Sequence, residues 1–308
     1  MFKIQPSASN DHAPESGRNT ITAFDAGLID SVQVSGSFEG IARREVTKQE
    51  RTASLVKAVR CIDLTTLSGD DTPERVRKLC AKARQPLGPK VQEALGCGGV
   101  TTAAVCVYHA FIETALEALK GTSIPVAAVS AGFPHGLSPL PARVLEVESS
   151  VAAGAREIDI VIDRSKALTG NWRGVYDEVG AFREACGQAH LKAIIAAGDL
   201  GTLTNVARAS VVCMMAGADF IKTSTGKETV NATPEVSTVM ARMIGFWRRT
   251  RGYKVGFKAA GGIAKAEEAL LYQTVMQDEL GGDWLEPGLF RIGASRLLAD
   301  IEQQLEIM

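Results

Sequence analysis

Five charged residues stand inside apolar runs that read as buried strands: Asp63, Asp159, Lys192, Lys222 and Lys258. A charge taken out of water costs several kcal/mol unless it is paired. Any one of the five could be a structural ion pair or a strand-end charge, but for all five together that explanation is poor. Lys222 and Lys258 close the sixth and seventh runs, which parallel pairing would set about 4.8 Å apart. A free lysine, with a pKa of about 10.4, is neutral roughly once in 2,500 at pH 7. A second ammonium about 4 Å away costs on the order of 4 kcal/mol at an effective dielectric of 20. That repulsion could lower one amine's pKa by about 3, leaving roughly a few tens of per cent of it neutral. A neutral amine beside a cationic neighbour is what Schiff-base chemistry with a carbonyl requires. Asp159, two strands earlier, could then move protons between water, substrate and the second lysine.

The loops after the last strands carry a second kind of chemistry. Thr223-Ser224-Thr225-Gly226-Lys227 follows the sixth run, Gly261-Gly262 follows the seventh, and Gly293-Ala294-Ser295 is expected to open the final helix. Glycines let backbone amides approach an anion, and a helix start favours negative charge. Taken alone these glycines are loop-makers; beside the lysine pair they suggest a phosphorylated carbonyl substrate. Gly226-Lys227 is no Walker A motif, because no Gly stands five positions earlier and Glu228 follows. Cys106 reads as a small buried thiol. His109 and His135 lie in strand-end loops without an evident acid or thiol partner, and the three tryptophans read as packing anchors. The four histidines show no ligand spacing, so no protein-built metal site is expected.

These residues need a scaffold, and the sequence repeats one. Short apolar runs occupy Arg60–Leu64, Ala103–Tyr108, Pro125–Ser130, Glu157–Ile162, Leu191–Ala196, Asp219–Lys222, Lys254–Lys258 and Phe290–Gly293. Helical patterns follow near 74–84, 109–120, 140–153, 172–188, 202–215, 233–249, 264–279 and 294–306. Alternation of this spacing means parallel strands joined by helical crossovers. Eight units over about 250 residues suggest a closed (β/α)8 TIM barrel, whose chemistry gathers at the C-terminal ends of the strands. An open doubly wound sheet would want a Gly-rich fingerprint after its first strand, where Ile62-Asp63-Leu64-Thr65-Thr66-Leu67 stands instead. Residues 1–20 read as a flexible tail, 21–58 as an N-terminal helical extension and 59–308 as the barrel.

The 308 residues hold 34 Lys plus Arg against 35 Asp plus Glu, a formal charge of −1. Unless its charges are strongly segregated, such a chain has no electrostatic footprint for nucleic acid or an anionic membrane. No run reaches the roughly 18 apolar residues of a membrane span. The six cysteines form no CxxC pair, and the first residues lack a signal-peptide core. Reduced thiols and a cytoplasmic location are expected.

Several segments resemble one family closely: CIDLTTLSGDDT at 61–72, TTAAVCVY at 101–108, EIDIVIDRS at 157–165, GADFIKTSTGKETVNAT at 217–233, GFKAAGGI at 256–263 and FRIGAS at 290–295. Over about residues 38–306 the chain resembles deoxyribose-phosphate aldolase, a class I aldolase with a (β/α)8 barrel, in its longer animal-type form. The resemblance implies reversible cleavage of 2-deoxyribose 5-phosphate to glyceraldehyde 3-phosphate and acetaldehyde, with no metal or organic cofactor. It makes Lys222 the Schiff-base lysine, Lys258 the lysine that lowers its pKa, and Asp159 the proton relay. It places Thr225, Gly226, Lys227, Gly261, Gly262, Gly293 and Ser295 around the substrate phosphate. Asp63 and Thr65 would line the pocket, and Lys192 would join the polar network. Family members are often dimers or larger, so a homo-oligomer is expected.

The chain departs from the family pattern at Ala259, where a proline is usual, at Ala197 and Asp199, where Thr and Glu are common, and at Arg296, where a small hydroxyl residue is usual. Many members finish in a tail whose terminal tyrosine assists proton transfer; here the last tyrosine is Tyr272, so weakened turnover is expected. Two readings stay open: a working aldolase, or an aldolase-fold protein retained to engage a protein partner. A metal-dependent aldolase would lack its His ligands.

Overall fold

The computed structural model describes residues 47–307. The tail expected over 1–20 and most of the extension expected over 21–58 lie outside the described residues. Thr47 caps helix α1 (Lys48–Arg60) through a reciprocal capping box with Glu50. Parallel strands β1 (Ile62–Thr65), β2 (Ala104–Tyr108), β3 (Val126–Ser130), β4 (Glu157–Val161), β5 (His190–Ile194), β6 (Phe220–Lys222), β7 (Gly256–Ala260) and β8 (Phe290–Ala294) close in sequence order, β8 pairing back on β1. The expected barrel is the observed one.

Between the strands run α2 (Pro73–Arg84), α3 (Pro89–Leu95), α4 (Ile112–Ala118), α5 (Leu140–Ala152), α6 (Arg164–Leu168), α7 (Trp172–Cys186), α8 (Leu203–Met215), α9 (Pro234–Arg251) and α10 (Ala266–Leu280), and α11 (Leu297–Ile307) follows β8. The short α3 and α6 were not expected: α3 takes Pro89 at its start and stops at Gly96 in a left-handed conformation. Three of the crossover helices, α2, α8 and α9, start on threonine caps: Thr72 accepts from the Arg75 amide, Thr202 from Asn205 and Thr233 from Val236. Each crossover helix returns the chain to the start of the next parallel strand, so helix N-termini face the same end of the barrel as the strand C-termini.

Two apolar regions result. The large one fills the space between strands and helices, with Trp172, Trp247 and Trp284 buried in it as packing anchors. The small one lies on the β2–β3 side of the barrel, where Ala104, Cys106, Ala127 and Val129 meet Leu67, Tyr108 and Phe133. The strand alternation that turns these residues together turns charged residues together on β1 and β4–β8.

Strand bounds differ from the expected runs by one or two residues, and two of the differences bear on the site. β7 begins at Gly256 rather than Lys254, so Lys258 lies at its middle and not its end. β8 includes Gly293 as expected and runs one residue further, to Ala294, and the final helix starts only at Leu297 rather than near 294.

Candidate active site

Seven charged side chains, all nearly or fully buried, form one network: Asp63, Glu157, Asp159, Lys192, Lys222, Lys258 and Arg291. Register does the placing, because Lys222 stands directly beside Lys258, Lys258 beside Arg291, and Asp159 beside Lys192. Asp159 is the hub. Its Oδ2 accepts from Lys222 Nζ at 2.8 Å and from Lys258 Nζ at 2.7 Å, while its Oδ1 accepts from Lys192 Nζ at 3.0 Å. Asp63, in the second position of β1, accepts from Lys258 at 2.5 Å and from Arg291 at 2.6 Å. Glu157, one strand alternation below Asp159, accepts from Lys192 at 2.5 Å and from Arg291 at 2.8 Å. Each carboxylate therefore meets at least two cations, which is what makes burial of so much charge tolerable.

Four cations against three carboxylates leave one net positive charge, and one lysine can lose its proton at little electrostatic cost. The surroundings select which one. Burial holds Lys222 below the usual lysine value; Asp159 opposes that shift and the Lys258 ammonium reinforces it. Burial pushes Lys258 the same way, but Asp159 and Asp63 together outweigh it and hold this amine above its usual value. Lys192 is likewise raised against its burial by Asp159, Glu157 and Asp63. Asp159 is held well below the carboxylate range: burial raises it, and Lys192, Lys222 and Lys258 more than reverse that. Repulsion between the two lysines, the mechanism expected from sequence, is thus secondary to burial. The larger difference is that Lys258 has two carboxylate partners and Lys222 has one.

Two members of the network were not anticipated, Glu157 and Arg291. A charge in each strand was the available signal, but both stand in the first two positions of their strands. Arg291 lies over the Phe220 ring, 5.6 Å from its centre. A Cβ at Gly256 would sit 2.3 Å from that ring, so only glycine leaves Phe220 its place. Gly293 leaves room more narrowly: an added Cβ would lie 3.1 Å from Lys258 Cε and from Ala260 Cβ, contacts that a shift of a few tenths of an ångström relieves.

The loop residues come together in part. Gly226 and Gly261 are neighbours, since a Cβ on the first would touch the second's Cα at 3.7 Å, and both have positive φ, +84° and +95°. Gly262 adjoins them with open space beside it. Ser295 and Arg296 are exposed in the turn before α11. Thr65 turns its hydroxyl onto the Asp63 carbonyl at 2.7 Å. Lys227 donates to the Leu67 carbonyl at 3.0 Å, spanning from the β6 loop to the β1 loop. The amides of Thr225, Gly226 and Lys227 all donate to the Glu228 carboxylate, at 3.0, 3.1 and 3.3 Å. Of the departures, Asp199 pairs with Arg164 at 2.7 Å, and the Ala197 amide donates to the Thr223 carbonyl at 2.9 Å. Ala259 is buried within β7.

Cys106 is buried, and burial pushes its thiol up, away from nucleophilic reactivity. His109 bonds Ser150 at 3.0 Å and His135 lies against Arg164 at 3.3 Å. All six cysteines are free. Among the described residues no group of three or more His, Cys, Asp or Glu side chains is arranged to hold a metal ion, and no helix is long and apolar enough to cross a membrane.

Residues 57–302 match the DeoC/LacD family aldolase profile. The chain is 53% identical over 302 residues to a human protein named deoxyribose-phosphate aldolase, covering 94% of each. It is 57% identical over 270 residues to the mouse protein of the same name, covering 86% of this chain and 84% of that one. Among solved structures, the deoxyribose phosphate aldolase of Aeropyrum pernix, described as tetrameric, superposes with a TM-score of 0.60 at 22% identity, over 85% of this chain and 99% of that one. That likeness is one of fold.

Proposed function

The chain belongs to the DeoC/LacD aldolase family, and from that premise we propose that it is a class I deoxyribose-phosphate aldolase working through a Schiff base on Lys222. The substrate is 2-deoxy-D-ribose 5-phosphate, cleaved reversibly to D-glyceraldehyde 3-phosphate and acetaldehyde. Neutral Lys222 attacks the aldehyde carbon of the open sugar, and loss of water leaves an iminium. The bond between the second and third carbons then breaks as the third carbon's hydroxyl loses its proton. The electron pair passes into the iminium, glyceraldehyde 3-phosphate departs, and the remaining enamine is protonated and hydrolysed to acetaldehyde.

Asp159, bonded to both Lys222 and Lys258, is placed to shuttle the protons these steps require. Lys258, held cationic by Asp159 and Asp63, keeps a positive charge beside the iminium site and so favours the neutral amine. Lys192 holds the other oxygen of Asp159 and fixes the direction in which it presents its proton acceptor. The phosphate would lie at the loops after β6, β7 and β8, at Thr225, Gly226, Lys227, Gly261, Gly262, Gly293 and Ser295. Assembly into a homodimer or larger oligomer belongs to the same proposal. The competing reading as a non-catalytic adaptor has no observation among the described residues in its favour.

The observation that carries the proposal is the pair Lys222 and Lys258 in register on one Asp159 oxygen, one amine pushed down and the other up. Release of acetaldehyde from 2-deoxyribose 5-phosphate tests it. The wild-type chain should turn over, and Lys222→Ala should lose turnover while keeping its fold. Turnover retained by Lys222→Ala would overturn the assignment.

A further inference from the structure

We propose that the Glu228 carboxylate is an internal competitor for the substrate phosphate, holding the anion nest of the β6 loop until the phosphate displaces it. This rests on the aldolase reading of the site above. Three successive amides, those of Thr225, Gly226 and Lys227, converge on one point, and the occupant of that point is a carboxylate of the same loop at 3.0–3.3 Å. Gly226, at φ +84°, supplies the left-handed residue that bends successive amides toward one centre. The nest is not remote from the other phosphate loop, because Gly226 packs on Gly261.

Three further features fit an exchangeable occupant better than a structural brace. No ion pair holds Glu228 among the described residues, so its carboxylate is fastened by neutral amides alone. Its backbone carbonyl is fixed separately, accepting from Asn231 Nδ2 at 3.0 Å, and the side chain can leave without freeing the loop. A phosphate ester carries roughly −1.5 to −2 charge and three strong acceptors, against one charge and two oxygens for Glu228. The carboxylate satisfies the Thr225 and Gly226 amides, which would otherwise stand unpaired, and shares the Lys227 amide with Thr225 Oγ1 at 3.1 Å. When substrate arrives it sets a threshold, since apparent affinity falls by the fraction of time the nest is free. A nest free about one tenth of the time would weaken phosphate binding about tenfold.

The test is calorimetric binding of inorganic phosphate to wild type, Glu228→Ala and Glu228→Asp, alongside KM for 2-deoxyribose 5-phosphate. Glu228→Ala should bind phosphate several-fold more tightly and lower KM in proportion. Glu228→Asp keeps the charge but shortens the reach to the three amides, and should also bind more tightly than wild type. Wild-type affinity in Glu228→Asp with tightening only in Glu228→Ala would assign the effect to charge at a distance and overturn the occupancy. Unchanged or weakened binding in Glu228→Ala, or no phosphate binding by any of the three, would overturn it equally. Phosphate binding is read without turnover: a chain that binds phosphate but cleaves nothing would defeat the aldolase proposal and leave this inference to its own result.

Discussion

Lys222 and Lys258 are the same residue type, on neighbouring strands, touching the same oxygen, and the surroundings give them opposite protonation preferences. The difference is one carboxylate: Asp63 bonds Lys258 and leaves Lys222 alone with Asp159. This predicts a pH dependence. Lys222 is lowered, so its reactive neutral form appears as pH rises through a value below the usual 10.5, and the rising limb of kcat/KM should lie below that pH. Lys258→Met removes a cation and leaves Asp159 and Asp63 less neutralised, and both changes favour protonated Lys222. The rising limb should therefore move up by about one pH unit or more, with about a tenfold lower rate on that limb. A variant slowed at every pH with its limb unmoved would mean that Lys258 does not tune Lys222. The five charged positions were legible in the sequence because charge inside a strand has no inexpensive explanation. Their protonation order was not legible, since it turns on which carboxylate reaches which amine. Glu157 and Arg291 escaped because a charge at the first turnless positions of a strand can pass for one reaching solvent.

At the scale of elements, alternation and register turn scattered sequence positions into one network. The strand pattern was legible because each strand is buried on both faces and reads as an apolar run. At the start of β7 a charge misplaced the boundary. Lys254 looked like the start of β7, yet it lies before the strand with its ammonium 4.8 Å from the Trp284 ring centre. The true start, Gly256, has a packing reason invisible in the sequence, the Phe220 ring in the place of its missing side chain. Gly256→Ala should accordingly destabilise the barrel by about 1–3 kcal/mol through overpacking, read as a lower urea midpoint with an unchanged slope. An unshifted midpoint would show that Phe220 moves aside freely and that the β6–β7 contact does not set the base of the network. The short helices α3 and α6 had too few turns to declare a period.

The whole molecule is nearly neutral, yet seven buried charges line the barrel interior on the β1 and β4–β8 side, opposite a wall of Ala104, Cys106, Ala127 and Val129. Such a division would suit the proposed aldehyde substrate, with ionisable groups on one side and a small apolar surface on the other. The closed barrel is what makes it possible, because strands distant in the chain, such as those bearing Asp63 and Arg291, become neighbours only on closure. One covalent bond at one residue, Lys222, is the centre of the proposed mechanism. Borohydride reduction of the protein in the presence of 2-deoxyribose 5-phosphate, followed by peptide mass mapping, reads that bond directly. A single reduced adduct on Lys222 is expected, absent when Lys222 is replaced by alanine. An adduct on Lys258 or Lys192, or no adduct while cleavage proceeds, would contradict it.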